Sequence, residues 1–427
     1  MFKLKDVEIE NFWGQHSIKS DFHEDVNIFI GRNGTGKTTF INLLQAVITV
    51  DLEMLHSLQF EKITINLKNK NKNRKIEVLK IADNLQFKEI RYKIGTQKYT
   101  LPIIANRELK YLYKRNSGRL HPKFYREIQE IKDTLKKLIN ISYLSVNRDI
   151  SDEFKENRRE DISNIIDARL EELIGDLTTY QLQLETEHSK LSKKFQEDVL
   201  RSMLFNEEFD YVNTNIPIKL NLREIGIGLR LAFRGLGILD DDIEGVIESH
   251  LNAIKKAATA INEYQKDNEK SIYPNDVTPL TLLRRTRRIN QLSEELEESK
   301  KKIFKRLDDF INLLNEFHDT KYFSLQDSQN GGISVIKDDM NIPISQLSSG
   351  EKQLIILLTE ALLQKGQETL FIADEPELSL HIEWQRKVIS SIRKLNPNSQ
   401  VIVATHSPEI VGKFKENVIN MEKIING

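Results

Sequence analysis

The sequence predicts an α/β fold with a mixed sheet, an antiparallel lobe and a short helical insertion that resembles a coiled coil. Short apolar segments that end at glycine-rich or acidic loops occur near both ends of the 427-residue chain, and such segments are typical of buried strands. Between them, apolar residues recur at spacings of three and four among many charges, which predicts helices. We therefore divide the chain into the N-terminal half of a head domain (1–150), a helical insertion (151–325) and the C-terminal half of the head (326–427).

The N-terminal part is predicted to begin with three strands and a glycine-rich loop. Residues 3–10 and a segment that ends near 22 have strand character, and residues 26–30 form an apolar run directly before the loop. A helix is expected from 38 to about 50. Four further alternating segments predict an antiparallel lobe beside the loop; they cover residues 63–67, 76–79, 85–94 and 98–103.

The middle of the chain is predicted to form two helical arms. Apolar residues recur at helical spacing from Ile162 to Phe195 and again from Ile289 to Phe317. The segment between them contains glycines at positions 226, 228, 235 and 237, so we expect a hairpin-like insertion. Each arm is only about four or five heptads long, and the insertion is therefore short.

Composition and charge exclude several classes of function. No apolar run approaches the roughly 18–20 residues that cross a bilayer, and the charged N-terminal residues do not resemble a signal peptide. The sequence contains no cysteine, which excludes disulfides and thiolate metal sites. With 39% hydrophobic residues and a formal net charge of -1, it has material for a core but no overall field that attracts nucleic acid. We expect a cytoplasmic protein without membrane contact, in which any nucleic acid binds at a local patch.

The glycine-rich loop fits the phosphate-binding pattern G-x-x-x-x-G-K-[ST]. Its residues are Gly31-Arg32-Asn33-Gly34-Thr35-Gly36-Lys37-Thr38, followed by Thr39. Glycines let backbone N–H groups approach phosphate oxygens, and the start of the following helix favours an anion. Lys37 is expected to reach the terminal phosphates, and the Thr38 hydroxyl to bind Mg²⁺. The alternative is a chance glycine-rich turn, which the flanking strand and helix disfavour. We therefore predict ATP and Mg²⁺ as cofactors.

An apolar strand near the C-terminus, within residues 369–376, ends in two adjacent carboxylates. Successive side chains of a strand point to opposite faces, so Asp374 and Glu375 are expected to have different roles. Asp374 is placed to hold the Mg²⁺ shell, and Glu375 to orient or deprotonate the water that attacks the γ-phosphate. Taken alone, Asp-Glu-Pro is equally typical of a solvated strand end. Its occurrence together with the phosphate loop favours catalysis.

A third motif, Leu347-Ser348-Ser349-Gly350-Glu351-Lys352-Gln353, precedes a helical apolar stretch. It resembles the signature motif of ABC-type ATPases, in the Ser-x-Gly-Glu form of SMC-like and OLD-family proteins. The resemblance implies an ABC-type P-loop NTPase head in which Ser348, Ser349 and Gly350 contact the γ-phosphate of ATP held by a second protomer. A helix that starts at Ser-Gly is an anion site on physical grounds as well. The alternative is an ordinary helix cap with a glutamate at capping-box distance.

Two further segments fit the same resemblance. Glu377-Leu378-Ser379-Leu380-His381 matches the D-loop region, and a buried-strand pattern at 401–405 ends at His406, which corresponds to the switch histidine. The resemblance implies that His406 senses the γ-phosphate, so the predicted catalytic set is Lys37, Glu375 and His406. A single histidine at a strand end is more often structural. The resemblance covers roughly the first 150 and the last 90 residues and implies nothing specific about the middle.

Several assignments stay open at the level of sequence. The Q-loop glutamine of the family has no clear counterpart, and Asn147 or Arg148 is the candidate for its position. Phe12 and Trp13 are candidates for stacking on adenine and are at least as typical of a core. Basic clusters at 284–288 and 68–75 could bind phosphates. Solvated helix and hairpin faces are the favoured interpretation, because neither cluster contains interleaved aromatic residues.

The motif set resembles the ATPase subunits of bacterial anti-phage defence systems of the Septu and PARIS type. This resemblance implies a homodimer or higher homo-oligomer that controls a separate nuclease effector, since only about 20 residues follow His406. The rival interpretation is a DNA-repair or chromosome-maintenance ATPase, like RecF or an SMC head, which would bind DNA directly. A transporter motor subunit fits less well because of the helical insertion and the signature sequence. A purely structural role would leave Glu375 without a purpose.

Overall fold

In the computed structural model, the described residues are 1–82, 88–103, 122–145, 162–202, 204, 221–266, 273, 278–279, 282–325 and 332–426. The chain divides into two compact units. The head unit comprises Met1–Thr178 together with Asp309–Gly427, and the insertion unit comprises Thr179–Asp308. The domain boundaries expected after residues 150 and 325 remain predictions.

The elements of the described residues follow in chain order. The strands are β1 (Lys3–Phe12), β2 (His16–Asp21), β3 (Val26–Ile30), β4 (Lys62–Asn69), β5 (Lys72–Ala82), β6 (Lys88–Ile94), β7 (Gln97–Ile103), β8 (Ile141–Ser145), β9 (Tyr322–Leu325), β10 (Ile333–Lys337), β11 (Met340–Asn341), β12 (Leu370–Asp374), β13 (Gln400–Ala404) and β14 (Val418–Asn420). The helices are α1 (Lys37–Thr49), α2 (Leu52–Ser57), α3 (Pro122–Leu138), α4 (Ile162–Ser202), α5 (Leu222–Gly235), α6 (Asp241–Lys266), α7 (Leu283–Glu316), α8 (Ser349–Leu363), α9 (Ile382–Leu395), α10 (Pro408–Val411) and α11 (Met421–Asn426). Over these residues, none of the helices has the length and apolar character that a bilayer span requires.

A five-stranded parallel sheet forms the centre of the head unit. Its order is β14-β3-β13-β12-β8, and every neighbouring pair is parallel. All residues of β12 and β13 are buried, as expected for parallel strands that are covered on both faces. Because parallel strands end at the same edge, the loops after β3, β12 and β13 meet there. The phosphate-binding pattern follows β3, Asp374 and Glu375 lie at the end of β12 and directly after it, and His406, the predicted switch histidine, follows β13.

A six-stranded antiparallel sheet accompanies it, in the order β2-β1-β4-β5-β6-β7. The predicted antiparallel lobe is therefore present, and β1 and β2 belong to it as well. Strands β9, β10 and β11 form a third sheet, which is also antiparallel, so parallel and antiparallel pairing occur in separate sheets. The apolar residues that predicted β4, Ile63, Ile65 and Leu67, are each 0% exposed, and Thr64 between them is buried as well. Only two residues, 70 and 71, separate β4 from β5.

Helix α1 packs into a hydrophobic core that contains residues of both sheets. Phe40 and Leu44 of α1 are buried together with Ile65 of the antiparallel sheet and Ile372 and Ile402 of the parallel sheet. Full burial of a side chain of this kind stabilises the fold by roughly 1.5–3 kcal/mol. This core fixes the helix that follows the glycine-rich loop.

The insertion unit is helical, as predicted, and contains α5, α6 and the adjoining parts of α4 and α7. Gly226 and Gly228 lie inside α5 and not in a loop. A Cβ atom at Gly228 would lie 2.4 Å from Cγ of Asn290, so glycine permits a close approach of α5 and α7. Nδ2 of Asn290 donates a hydrogen bond to the carbonyl oxygen of Ile225 at 3.0 Å. The glycines therefore serve helix packing.

Candidate nucleotide site

The predicted phosphate loop connects β3 to α1 through two glycines in the left-handed region. Gly34 has φ 79° and Gly36 has φ 86°. A Cβ atom at Gly36 would also lie 2.9 Å from two ring carbons of Trp13, so both the backbone and the neighbouring ring require glycine here. Gly36 is the N-cap of α1, and no side chain caps this helix. The first N–H groups of α1 therefore suit an anion.

Lys37 lies folded against the same loop. Its Nζ atom donates hydrogen bonds to the carbonyl oxygens of Gly31 at 2.9 Å and Arg32 at 3.2 Å. Burial lowers the pKa of Lys37, and the charges of Glu375 and Asp374 oppose that shift. An ammonium group held at this loop suits the predicted role of Lys37 as a phosphate-binding cation.

Thr38 and Asp374 are adjacent although they come from the two ends of the chain. Oγ1 of Thr38 donates a hydrogen bond to Oδ1 of Asp374 at 3.3 Å. Burial raises the pKa of Asp374 to about 6; the Thr38 hydrogen bond opposes the shift, and the negative charges of Glu375 and Glu377 add to it. Oxygen ligands are those that Mg²⁺ prefers, and the ion usually takes its other ligands from water and nucleotide phosphates. The hydroxyl and the carboxylate therefore fit a magnesium ion that is bound together with a nucleotide.

Glu375 and His406 follow neighbouring strands and lie close together. The N–H of Glu375 donates to the carbonyl oxygen of Ala404 at 2.8 Å, and Oε1 of Glu375 lies 3.7 Å from Nε2 of His406. The expectation that strand alternation separates Asp374 from Glu375 needs correction. Strand β12 ends at Asp374, and Glu375 has φ 47°, so a left-handed turn sets the direction of the second carboxylate. Both side chains are 35% exposed, and a carboxylate in that position can orient or deprotonate a water molecule.

Glu377 is a third carboxylate at this edge of the sheet and is only 8% exposed. Its Oε1 atom accepts hydrogen bonds from Oγ1 of Thr405 at 2.6 Å, from N of His406 at 2.8 Å and from N of Ser407 at 3.3 Å. Sequence reasoning assigned Glu377 only to the D-loop region and missed these contacts. No local pattern indicates the partners of a carboxylate that lie 28 to 30 residues away.

The phosphate loop has a second support that sequence reasoning missed. The backbone N–H of Arg32 donates to Oε1 of Glu422 at 3.1 Å. A Cβ atom at Gly31 would lie 3.4 Å from Cβ of Met421. Both Glu422 and Met421 belong to α11, 390 residues away from the loop along the chain. Helix α11 therefore braces the start of the phosphate loop.

The predicted signature motif forms the N-terminus of α8. Ser348 caps the helix and forms a capping box with Glu351, so the helix-cap alternative is realised. Ser348 and Ser349 are nevertheless exposed, whereas Gly350 is buried. A Cβ atom at Gly350 would lie 2.2 Å from the backbone oxygen of Ser379, so the helix start packs directly on the predicted D-loop. Two exposed serines at a helix N-terminus suit contact with a phosphate group.

Ion pairs connect α8 to the neighbouring ends of the two helical arms inside the head unit. The pairs are Arg169–Glu360, Asp167–Lys352 at 2.6 Å and Lys321–Glu351 at 2.5 Å. Two of these partners lie in α4, and the third follows α7. The helix that begins with the signature motif is thus bonded to the segments through which the chain leaves and re-enters the head unit.

The open aromatic candidates differ in position. Phe12 is fully buried in the core, whereas Trp13 is partly exposed, stacks on Phe12 with ring centroids 4.9 Å apart and contacts Gly36. An adenine-stacking role therefore remains a prediction for Trp13 alone. Asn147 and Arg148, the candidates for the Q-loop position, lie outside the described residues.

The two basic clusters lie in different surroundings. In the cluster at 68–75, Lys68 lies 3.8 Å from Glu24 and Lys75 lies 2.9 Å from Glu77. The cluster at 284–288 occupies the start of α7, where Thr286 is buried. Contact of either cluster with nucleic acid remains a prediction.

The geometry agrees with a family-level comparison. The sequence profile of the AAA ATPase domain family matches residues 2–411. The chain belongs to this family. It is a nucleotide-binding ATPase whose described residues form a parallel sheet, an antiparallel lobe and a helical insertion.

Three relatives extend the comparison. A retron Ec83 probable ATPase of Escherichia coli is 21% identical over 429 residues, which cover 96% of this chain and 69% of that protein. A retron Vc95 probable ATPase of Vibrio cholerae is 26% identical over 289 residues, which cover 63% of this chain and 54% of that protein. Septu protein PtuA of Bacillus thuringiensis is 28% identical over 135 residues, which cover 29% of this chain and 33% of that protein. The chain thus spans between a third and about two thirds of the length of these relatives.

Proposed function

We propose that this ATPase is a subunit of a bacterial anti-phage defence complex and that it controls a separate nuclease through nucleotide-coupled dimerisation of its head unit. The observation that best supports the catalytic part is the convergence of Lys37, Thr38, Asp374, Glu375 and His406 at the carboxyl edge of one parallel sheet. The similarity to two retron ATPases and to a Septu protein supports the defence role. Such a protein would act in the cytoplasm.

The proposed nucleotide site uses the whole phosphate loop. The loop of residues 31–36 would surround the phosphates, and Thr39 would extend the set into α1. The N–H groups of Arg32 and Thr35 already donate to Glu422 and to the Arg32 carbonyl oxygen, so the backbone N–H groups of Asn33, Gly34 and Gly36 would make the phosphate contacts. Lys37 would bind the terminal phosphates, while Thr38 and Asp374 would hold Mg²⁺, which offsets phosphate charge when bound. In this proposal, residues 1–150 and 326–427 together form the head that binds the nucleotide, and residues 151–325 form the insertion.

In the proposed hydrolysis step, Glu375 orients the attacking water and accepts its proton. His406, whose imidazole lies 3.7 Å from Glu375, contacts the γ-phosphate and reports whether it is present. Both side chains are partly exposed and follow neighbouring strands, so they can reach the same ligand.

In the proposed dimer, the signature motif of one head covers the nucleotide of the other. Ser348 and Ser349 are exposed at the start of α8, and Gly350 lets this start approach the D-loop closely. A second copy would place these groups on the γ-phosphate, where a helix N-terminus is favourable. Hydrolysis removes the shared ligand, and the heads separate because their association depended on it. Higher homo-oligomers would combine such dimers.

The direct test is co-purification of the tagged chain with the products of its neighbouring genes. Glu375→Gln should retain ATP and recover a stoichiometric nuclease, whereas Lys37→Ala should recover much less because it lacks the phosphate-binding cation. Recovery of the nuclease would support the defence assignment. A dimer that recovers no protein partner but retains DNA in a salt-dependent manner would instead favour a repair ATPase of the RecF or SMC type.

A further inference from the structure

Glu377 combines burial with several hydrogen bonds to one short segment. A single carboxylate oxygen accepts from the Thr405 hydroxyl and from the backbone N–H groups of His406 and Ser407. The Ser407 N–H also donates to Oγ1 of Thr405 at 2.9 Å. One side chain therefore holds three consecutive residues in place: His406 and its two neighbours, Thr405 and Ser407. Hydrogen bonds to a charged acceptor are about twice as strong as neutral ones.

A second side chain connects the same two segments. Nε2 of Gln385 donates to the carbonyl oxygen of Leu380 at 2.9 Å, and Oε1 of Gln385 accepts from the Ser407 hydroxyl at 2.6 Å. Gln385 lies in α9, which follows the D-loop directly. The D-loop segment 377–380 and the segment 405–407 are thus bonded to each other at two places.

The D-loop segment also contacts the start of the signature helix. The backbone oxygen of Ser379 lies so close to Gly350 that a Cβ atom there would be 2.2 Å away. A displacement of α8 would therefore push on the backbone only two residues after Glu377. The contacts run from Gly350 through Ser379 and Glu377 to His406 without leaving the head unit.

We infer that Glu377 is a positioning residue for hydrolysis, which holds the backbone of His406 in register with Glu375 and connects it to the D-loop. This inference rests on the proposed roles of Glu375 and His406. Glu377 does not touch the reacting atoms. It fixes the backbone position from which the imidazole side chain of His406 extends. A displacement of about 1 Å in a catalytic constellation can lower a rate about 10²-fold.

The second oxygen of Glu377 makes the substitution by glutamine informative. Oε2 is buried and has no hydrogen-bond partner among the described residues. In Glu377→Gln, the amide oxygen can still accept from the three donors, while the amide nitrogen would occupy this unpartnered position. Glu377→Ala instead leaves the Thr405 hydroxyl and the His406 N–H without this acceptor, and only the Ser407 N–H keeps another one, Oγ1 of Thr405. The expected order of activity is wild type, then glutamine, then alanine.

The test is a double-mutant cycle on ATPase turnover. Glu377→Ala should lower kcat on the order of 10²-fold and leave the Kd for a fluorescent ATP analogue within about twofold, because the phosphate loop is untouched. Glu377→Gln should lower kcat only about threefold to tenfold, since it preserves the acceptor. Glu383→Ala, the same chemical change at an exposed position in α9, is the matched control and should leave kcat unchanged. Thermal unfolding identifies any variant that fails to fold.

The double-mutant cycle with His406→Ala distinguishes the positioning role of Glu377 from the proposed role of His406. If Glu377 acts through His406, adding Glu377→Ala to His406→Ala should lower kcat by less than twofold further. If the two losses multiply, Glu377 does not act through His406 and the inference is overturned while the proposed function stands. If His406→Ala alone leaves kcat unchanged, the proposed role of His406 fails, and the inference fails with it.

Discussion

Oγ1 of Thr38 lies 3.3 Å from Oδ1 of Asp374, although 336 residues separate them in the sequence. This contact joins the two halves of the head unit, at the start of α1 and the end of β12. It also places a hydroxyl and a carboxylate where Mg²⁺ would accompany a nucleotide. Burial disfavours the ionised form of the Asp374 carboxylate, so the free energy of unfolding should depend on pH.

Asp374→Asn should stabilise the free protein above pH 6. The pKa of Asp374 is about 6 in the folded chain, against an ordinary value of 3.8, because burial disfavours its charge. Between these values the unfolded chain ionises first, so wild type loses stability as pH rises from about 4 to 6 and the penalty then stays constant. The difference from the variant should grow from near zero to about 2–3 kcal/mol.

Denaturant unfolding of both proteins at several pH values, without nucleotide, measures this difference. Asp21→Asn makes the same change at an exposed aspartate, where no burial penalty is relieved, and is the matched control. Mg-ATP should stabilise wild type and not Asp374→Asn, because the neutral amide is a poor ligand for Mg²⁺. If wild type and Asp374→Asn differed in unfolding free energy by the same amount at pH 4 and at pH 8, the assignment of Asp374 as a buried, ionisable carboxylate would be contradicted.

Gly36→Ala should destabilise the fold more than Gly34→Ala does. Both glycines have positive φ, 86° and 79°, so each alanine costs about 1 kcal/mol in backbone strain. Only at Gly36 would the new Cβ meet Trp13, at 2.9 Å, whereas nothing lies within 4 Å of it at Gly34. The contact should add about 1–3 kcal/mol, measured by denaturant unfolding. Equal destabilisation by the two substitutions would show that the Trp13 side chain moves aside without an energetic cost.

Glu360→Ala should destabilise the head unit by about 3 kcal/mol. Glu360 is largely buried, pairs with Arg169 and accepts a hydrogen bond from the Ser142 hydroxyl at 2.9 Å. Its removal leaves a mostly buried guanidinium group without its interior partner. Glu172 pairs with the same arginine but is 62% exposed, so Glu172→Ala should cost less than about 1 kcal/mol. Thermal unfolding of the two variants should rank them in this order; the reverse order would rule out the buried pair as the stronger one.

The sequence predicted the parts of the site that depend on short-range pattern. An apolar strand, a glycine-rich loop and a helix follow one another within 24 residues from Val26 to Thr49, and this local order alone predicts a phosphate loop. The two long helices of the insertion also follow from local spacing. Parallel strands then bring the loops after β3, β12 and β13 together, as their apolar runs suggested.

Contacts between distant residues could not be predicted in this way. Glu422 supports the phosphate loop from 390 residues away, and no periodicity encodes that distance. The left-handed turn at Glu375 depends on its hydrogen bond to Ala404 in the neighbouring strand. Gly226 and Gly228 resemble loop glycines in sequence, but packing against the neighbouring helices places them within α5.

The most direct test of nucleotide-coupled dimerisation is the molar mass of Glu375→Gln in solution, measured by light scattering with and without Mg-ATP. The account predicts a dimer with Mg-ATP and a monomer without it. Lys37→Ala should remain monomeric because it lacks the phosphate-binding cation, and Ser349→Arg should bind ATP yet remain monomeric because its signature surface is blocked. A Glu375→Gln protein that binds Mg-ATP tightly and stays monomeric at every concentration would contradict the central claim.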